Sequence, residues 1–346
     1  MRVALVGGGV QPIPPTGYGA IERIVAELAT ALRAAGHEAV IVNRVRRGRM
    51  RDEYPFAREL PRLLAAERFD VVHAHTPVVA NRLAGRGYRY AYTSHSRHWF
   101  YRERLTHRWG YYLERRAVRR AGAVLALTPR LERTMRAVVR PPLPPISVVP
   151  FGVDADAFAP DWSRRSGTRA LGVGVIAPFK RWDLAARALR GTGITLRLAG
   201  PIASAAYAQT VRSAGDGVEL LGEVDDGRLR SLFAESDLLM HPSAVEVLSA
   251  TVLEGLAAGL PVLGGPALDG VVAHGSTGYL VPDGDPTAAV AAYRRYAREL
   301  VGDPGRRRAM GERARAVARD RYAWPAIAEA HLAVYGTLGP GAPRRP

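Results

Sequence analysis

The chain of 346 residues has no cysteine, and among its 49 basic side chains there is one lysine, Lys180; the other 48 are arginine. Without cysteine no disulfide and no thiolate metal site can form, a composition that suits a reducing cytoplasm. No apolar run approaches the ~18 residues of a membrane span. The opening MRVALVGGGVQPIPP is too short and too interrupted by Pro and Gly for a signal peptide, so a cytoplasmic protein is expected. Acidic residues are also scarce, 32 against 49 basic, which leaves a net charge of +17. Such an excess favours anionic partners, whether phosphorylated substrates, nucleic acid or a membrane surface, without choosing among them. The abundance of Ala, Arg, Gly and Pro fits a GC-rich coding bias that depletes lysine everywhere. Lys180 is then either a survivor of that bias or a position that requires an ammonium group.

What is present alternates. Short β-branched runs at 3–6, 39–42, 70–75, 90–95, 123–128 and 146–150 are separated by helical stripes. In the first stripe Ile21, Ile24, Val25, Leu28 and Leu32 recur at helical spacing up to Gly36, a C-terminal cap. After PFGVDADAFAP the pattern restarts, with runs at 171–176, 194–200, 218–222, 237–243 and 261–265. Strand–helix alternation of this kind predicts an α/β protein with two parallel sheets, each covered on both faces. The expected domains are 1–160 and 161–322. The site is expected at the carboxyl ends of the strands, in the cleft between the two domains.

Gly7 and Gly9 begin a dinucleotide fingerprint, but Pro12 occupies the third glycine position, so a nicotinamide site is rejected. The loop runs on to Gly17, Tyr18 and Gly19, where a helix N-terminus would offer free N–H groups to an anion. Turn glycines without a ligand explain this stretch equally well. In HPSAVEVLSATVLEGLAAGLPVL, residues 241–263, Glu246 and Glu254 are eight apart, about 12 Å of rise if the segment is helical. Two carboxylates so separated could hold the hydroxyls of two sugars joined through a diphosphate. Ser243 followed by Glu246 also spells a capping box, which would make Glu246 a helix cap.

Taken in order, PPTGYGAIERIVAELATALRAAGHEAVIV, FDVVHAH, YTSHS, VVPFGVDADAF, VGVIAPFKRWDLAARAL, LRLAGP, LLGEVDDGRL and the E-x7-E segment resemble the family 4 retaining glycosyltransferases of the GT-B fold. The resemblance covers nearly the whole chain. It implies two Rossmann-like doubly wound domains facing across a cleft, a nucleoside-diphosphate sugar donor as co-substrate, no further cofactor, no metal and an α-linked product. It also implies residue roles: Glu254 on the ribose hydroxyls, Glu246 by the transferred sugar, Lys180 on the donor diphosphate, Gly19 near the phosphates, His95 near the donor sugar and Val224 beside the base. Lys180, Glu246 and His95 are thus the candidate catalytic residues. A lysine is a compact point charge where arginine is a broad planar fork, so a narrow space beside two phosphates can distinguish them. The chain departs from the family where Val175 replaces a phosphate-binding arginine, where Arg181 replaces a small residue as a second candidate cation, and where Val247, Leu248 and Ser249 replace Gly-Phe-Gly beside the sugar. Ala20 replaces the second loop glycine.

Residues 97–120 interleave arginines with aromatics and suggest an acceptor side, with Tyr18, His98 and Trp99 as candidates. Such a segment could stack sugars, hold an anionic or lipid-linked acceptor, or make peripheral contact with the inner membrane surface; a helix whose aromatics are core is the alternative. His73, His75, His95 and His98 could gather around zinc, although ordinary strand-end hydrogen bonds are favoured. Asp154-Ala-Asp156 resembles a metal-binding DxD in an interdomain connection. By the same resemblance the last helix, about 323–337, belongs with the first domain, and 338–346 reads as a disordered tail. Two rivals to the transferase are a GT-B-type sugar-nucleotide epimerase and a non-catalytic basic protein that binds nucleic acid or membrane. The second explains the charge but not E-x7-E, and no nucleic-acid partner is expected.

Overall fold

A computed structural model describes residues 1–15, 19–101 and 104–338. Tyr18 and the tail from 339 lie outside the described residues. The chain divides into two compact units, Met1–Gly152 with the segment from Trp324, and Val153–Ala323.

The first unit runs β1 (Arg2–Val6), α1 (Ala20–Ala34), β2 (Glu38–Val42), α2 (Glu53–Ala65), β3 (Val71–Ala74), α3 (Pro77–Ala84), β4 (Ala91–Ser94), α4 (Leu105–Arg120), β5 (Ala123–Ala126), α5 (Pro129–Val138) and β6 (Ile146–Val148). The second runs β7 (Arg169–Val173), α6 (Trp182–Leu189), β8 (Thr195–Ala199), α7 (Ala205–Ala214), β9 (Val218–Gly222), α8 (Asp226–Glu235), β10 (Leu238–His241), α9 (Ala250–Ala257), β11 (Val262–Gly264), β12 (Gly278–Leu280), α10 (Pro286–Gly302) and α11 (Pro304–Arg321). The closing helix α12 (Trp324–Gly336) belongs to the first unit, against α1.

Both sheets are six-stranded and parallel, ordered β2-β1-β3-β4-β5-β6 and β12-β11-β10-β7-β8-β9. The second has the order of a Rossmann sheet. The order in which successive strands are added reverses between β7 and β10, and ligands of doubly wound sheets bind at the carboxyl ends of the strands flanking such a switch. The corresponding reversal in the first sheet falls between β1 and β3.

The stripe foreseen in α1 is buried at Ile24, Val25, Leu28 and Leu32, and the last three share a core with Val3, Leu5, Ala328 and Tyr335. Beyond its C-terminus Gly36 takes φ +82°, and His37 N–H returns to the Leu32 carbonyl at 3.0 Å, which closes the last turn. The second core gathers Trp182, Leu196, Leu198, Leu238, Met240, Leu263 and Tyr293.

One expectation about the connection changes. Residues 153–160 belong to the second unit, not the first: Val153 bridges to Ala323, Arg315 donates to the Ala155 carbonyl at 2.9 Å, and Phe158 meets Phe233 edge-on. Asp154-Ala-Asp156 forms a turn, in which the Asp154 carboxylate accepts from the N–H groups of Asp156 at 3.1 Å and Ala157 at 3.0 Å.

Candidate active site

The switch point of the second sheet carries the charged pair that the sequence singled out. After β7 the chain turns at Gly174, and a 3-10 turn, Pro178–Lys180, precedes α6. Trp182, fully buried, donates its Nε1–H to the Val175 carbonyl at 3.1 Å and pins this turn to the strand end. The Lys180 side chain then lies over Gly174. A Cβ there would sit 3.4 Å from Lys180 Cε and 3.7 Å from Nζ, and the backbone, at φ +144°, disfavours any other residue. Val175, in the place of the expected arginine, therefore serves through its carbonyl.

After β10, the partner strand across the switch, Pro242 opens a loop that carries Glu246. Lys180 Nζ donates to Glu246 Oε1 at 2.6 Å, and His241 Nε2 lies 3.1 Å from the same oxygen. Burial alone would raise the Glu246 pKa, but the bond from His241 and the charge of Lys180 outweigh it and hold the carboxyl at about 2. Facing a carboxylate, His241 Nε2 must carry the proton; burial lowers the pKa of the ring, against the bond to Glu246, which raises it. Its other nitrogen, Nδ1, is buried and has no hydrogen-bond partner among the described residues. Among the described residues both protein bonds to Glu246 fall on Oε1, so Oε2 is left to accept from a ligand hydroxyl.

This geometry removes the capping-box reading. Glu246 lies in the loop, and the N-cap of α9 is Ser249, whose side chain makes no capping bond. Ser243 Oγ instead donates to the Val245 carbonyl at 3.3 Å. The 12 Å helical rise between Glu246 and Glu254 fails for the same reason, since only Glu254 stands on α9. Val247 and Ser249 are buried and Leu248 is half-buried, so the bulk that replaces Gly-Phe-Gly is largely taken into the protein. Arg181, the second candidate cation, is held in an ion pair of its own. Its backbone is left-handed, φ +58°, and its guanidinium pairs with Asp283 at 2.7 Å. Val224 is half-buried between β9 and α8.

In the first unit Gly19 is the N-cap of α1 and so brings no capping side chain of its own; a Cβ there would meet Gln11 Oε1 at 2.7 Å and Pro15 at 2.8 Å. At the ends of β3 and β4, His75 Nδ1 lies 3.2 Å from His95 Nε2. His73 bridges Tyr335 at 2.7 Å and Thr93 at 2.8 Å. His331 of α12 completes the group, its ring 5.8 Å from that of His73. Burial pushes His95 and His331 down to about 4 and lowers His73 and His75 well below the usual range, so all four are neutral imidazoles at pH 7. Among the described residues no three His, Asp or Glu side chains are arranged to hold a metal. His98 stands apart, 2.8 Å from His107 and against Gly110 of α4.

Trp99 is corrected as an acceptor-side candidate. It is fully buried and donates to Ser94 Oγ at 2.9 Å, within a network in which Tyr92 and Ser94 donate to Glu114 at 2.7 and 2.8 Å. His241 and Gly174 are the residues that sequence reasoning missed. The signal for His241 was present, a histidine closing a buried strand five residues before a singled-out glutamate.

Comparison with known proteins bears on the family and the fold. Residues 21–157 match the model of Glycosyltransferase Family 4, and 173–299 match that of Glycosyl transferases group 1. A D-inositol 3-phosphate glycosyltransferase of Kineococcus radiotolerans is 34% identical over 227 residues, 55% of this chain and 51% of its own, so the match spans about half the length of that relative. Sucrose-phosphate synthase of Thermosynechococcus elongatus has a similar fold, with TM-score 0.82 and 19% identity over 97% of this chain and 98% of that one. HepE of Anabaena, solved with UDP and glucose, superposes with TM-score 0.75 and 18% identity over 98% of this chain and all of its own.

Proposed function

Because this chain belongs to the family 4, group 1 glycosyltransferases with the GT-B fold, we propose that it transfers a sugar from a UDP- or GDP-sugar to a hydroxyl acceptor, with retention of configuration and without a metal. The observation that carries this reading is the meeting of Lys180, Glu246 and His241 at the switch point of the second sheet. As the bond from the anomeric carbon to the diphosphate breaks, negative charge grows on the departing oxygen, and Lys180 is the preorganised cation that stabilises it. Lys180 exchanges the Glu246 carboxylate for the diphosphate, so the ion pair keeps the ammonium in place until the donor arrives. Glu246 Oε2 accepts a hydroxyl of the transferred sugar, and Glu254 accepts the ribose hydroxyls. The N-terminus of α9, uncapped by a side chain, adds dipole to the anion. The new bond forms between the acceptor oxygen and the anomeric carbon, and the acceptor proton leaves with the diphosphate. His95, a neutral imidazole, can donate to or accept from a sugar hydroxyl.

UDP in the HepE complex supports a UDP-sugar as the first donor to try. The +17 charge, together with the inositol 3-phosphate in the name of the relative, supports an anionic acceptor. The test is incubation with UDP-glucose or GDP-mannose and inositol 3-phosphate in excess EDTA, followed by proton NMR. An α-linked product from an α-linked donor supports the reading. A β-linked product, or transfer that EDTA abolishes, refutes retention or metal independence.

A further inference from the structure

The outer face of α4 has no part in the chemistry above. Its inner face, Glu114, Ala117 and Val118, is buried against the rest of the first unit. Outward, Leu105 is 79% exposed, Trp109 64% and Tyr112 50%, with Trp109 and Tyr112 stacked at 5.6 Å between ring centroids. Arg108, Arg116, Arg119 and Arg120 are exposed beside them. At 100° per residue these seven side chains fall within about 120° of one another. They form one stripe, apolar toward the N-terminus and basic along its whole length. The helix has one acid, Glu114, and it points the other way.

Exposed aromatic and aliphatic side chains on one helix face mark a surface that meets a partner. The composition selects the partner. Trp and Tyr rings settle at the headgroup level of a bilayer, Leu reaches the acyl boundary, and guanidinium groups meet lipid phosphates. A duplex groove would use the arginines but has no place for Leu105. Among the described residues no helix is long and apolar enough to cross a membrane, so contact through this face is peripheral. We propose that the Leu105–Trp109–Tyr112 face of α4, with its arginines, docks the protein on an anionic lipid surface. The inference stands independently of the donor-site reading, since none of these residues belongs to it.

The experiment is co-sedimentation of the whole chain with vesicles of phosphatidylcholine, alone or mixed equally with phosphatidylglycerol, at 0.1 and 0.5 M salt, with tryptophan emission read in parallel. The wild type should bind the anionic vesicles, lose them at high salt and shift its emission to the blue; Trp109→Phe should bind but lose most of the shift. Arg108→Gln/Arg116→Gln/Arg119→Gln should weaken partition by about a hundredfold, roughly fivefold per arginine. Because these side chains are exposed, each variant should keep the wild-type melting midpoint, which separates lost docking from lost folding. No vesicle binding, or equal binding by the triple variant, overturns the proposal. So does tighter retention on duplex DNA that depends on the same arginines, which would assign the face to nucleic acid.

Discussion

Replacing Glu246 by glutamine removes one titration from the folded protein, and the removal should be measurable as a change in acid sensitivity. The carboxyl is held at about 2 against an ordinary value of 4.5. Its folded pKa is depressed, so the ionised form stabilises the native state fully above pH 4.5, and that contribution is lost as the pH falls through 4.5 toward 2. The whole shift corresponds to about 3 kcal/mol, of which roughly 1.4 kcal/mol is gone by pH 3.5. Only 16% of the side chain is exposed, so solvent screens little of this. Urea titrations of wild type and Glu246→Gln at pH 7, 5, 4 and 3.5, followed by circular dichroism, isolate the term, because every other carboxylate is common to both proteins. The stability difference between them should shrink by roughly 1.4 kcal/mol from pH 7 to 3.5. Parallel pH profiles would refute the reasoning, because they would mean that Lys180 and His241 do not hold the carboxylate.

Four further outcomes follow, three from atoms around Glu246 and one from the first unit. His241→Phe removes a donor from Glu246 Oε1, so the acid limb of the kcat/KM profile should move to higher pH, and His241→Gln should restore much of it; identical profiles for all three proteins would leave His241 a packing residue. Lys180→Ala should lower kcat by about 10²- to 10³-fold, as for loss of one preorganised transition-state contact. Gly174→Ala, which crowds Lys180 Cε at 3.4 Å in a backbone conformation hostile to alanine, should weaken nucleotide binding without touching a ligand-binding side chain; unchanged affinity by calorimetry would contradict the placement of Lys180. Burial pushes Glu114 up to about 7, against the bonds from Tyr92 and Ser94. Its folded pKa lies above the unfolded value, so native stability falls as pH rises from 4.5 through 7. Glu114→Gln should therefore gain ~2.5 kcal/mol on wild type between pH 5 and 8, measured by urea unfolding.

The alternation of strand and helix was legible because it rests on burial. The runs at 39–42 and 218–222 became β2 and β9 within a residue, and only β12, three residues long, carried too little pattern to be seen. The site was legible through its rare lysine and paired glutamates, but its local geometry was not. Ser243 and Glu246 spell a cap whether or not a helix begins there. Pro242, with β-branched Val245 and Val247, disfavours helix there, and the segment runs as a bent loop until Ser249. Trp99 shows the reverse error, since a basic neighbourhood suggested a surface while its indole N–H belonged to a buried network. The partner of Arg181 was not legible, because Asp283, 102 residues and five strands further along the chain, is its neighbour only in space.

The measurement that bears most directly on the donor site is the melting midpoint of wild type and Lys180→Ala with UDP, GDP, ADP, CDP or dTDP, each in excess EDTA. A ligand at about 100 times its Kd adds ~2.7 kcal/mol, enough to raise the midpoint by several degrees. One nucleotide should stabilise the wild type by that amount and Lys180→Ala by clearly less. No shift with any nucleotide, or equal shifts in both proteins, would contradict a diphosphate site built around Lys180.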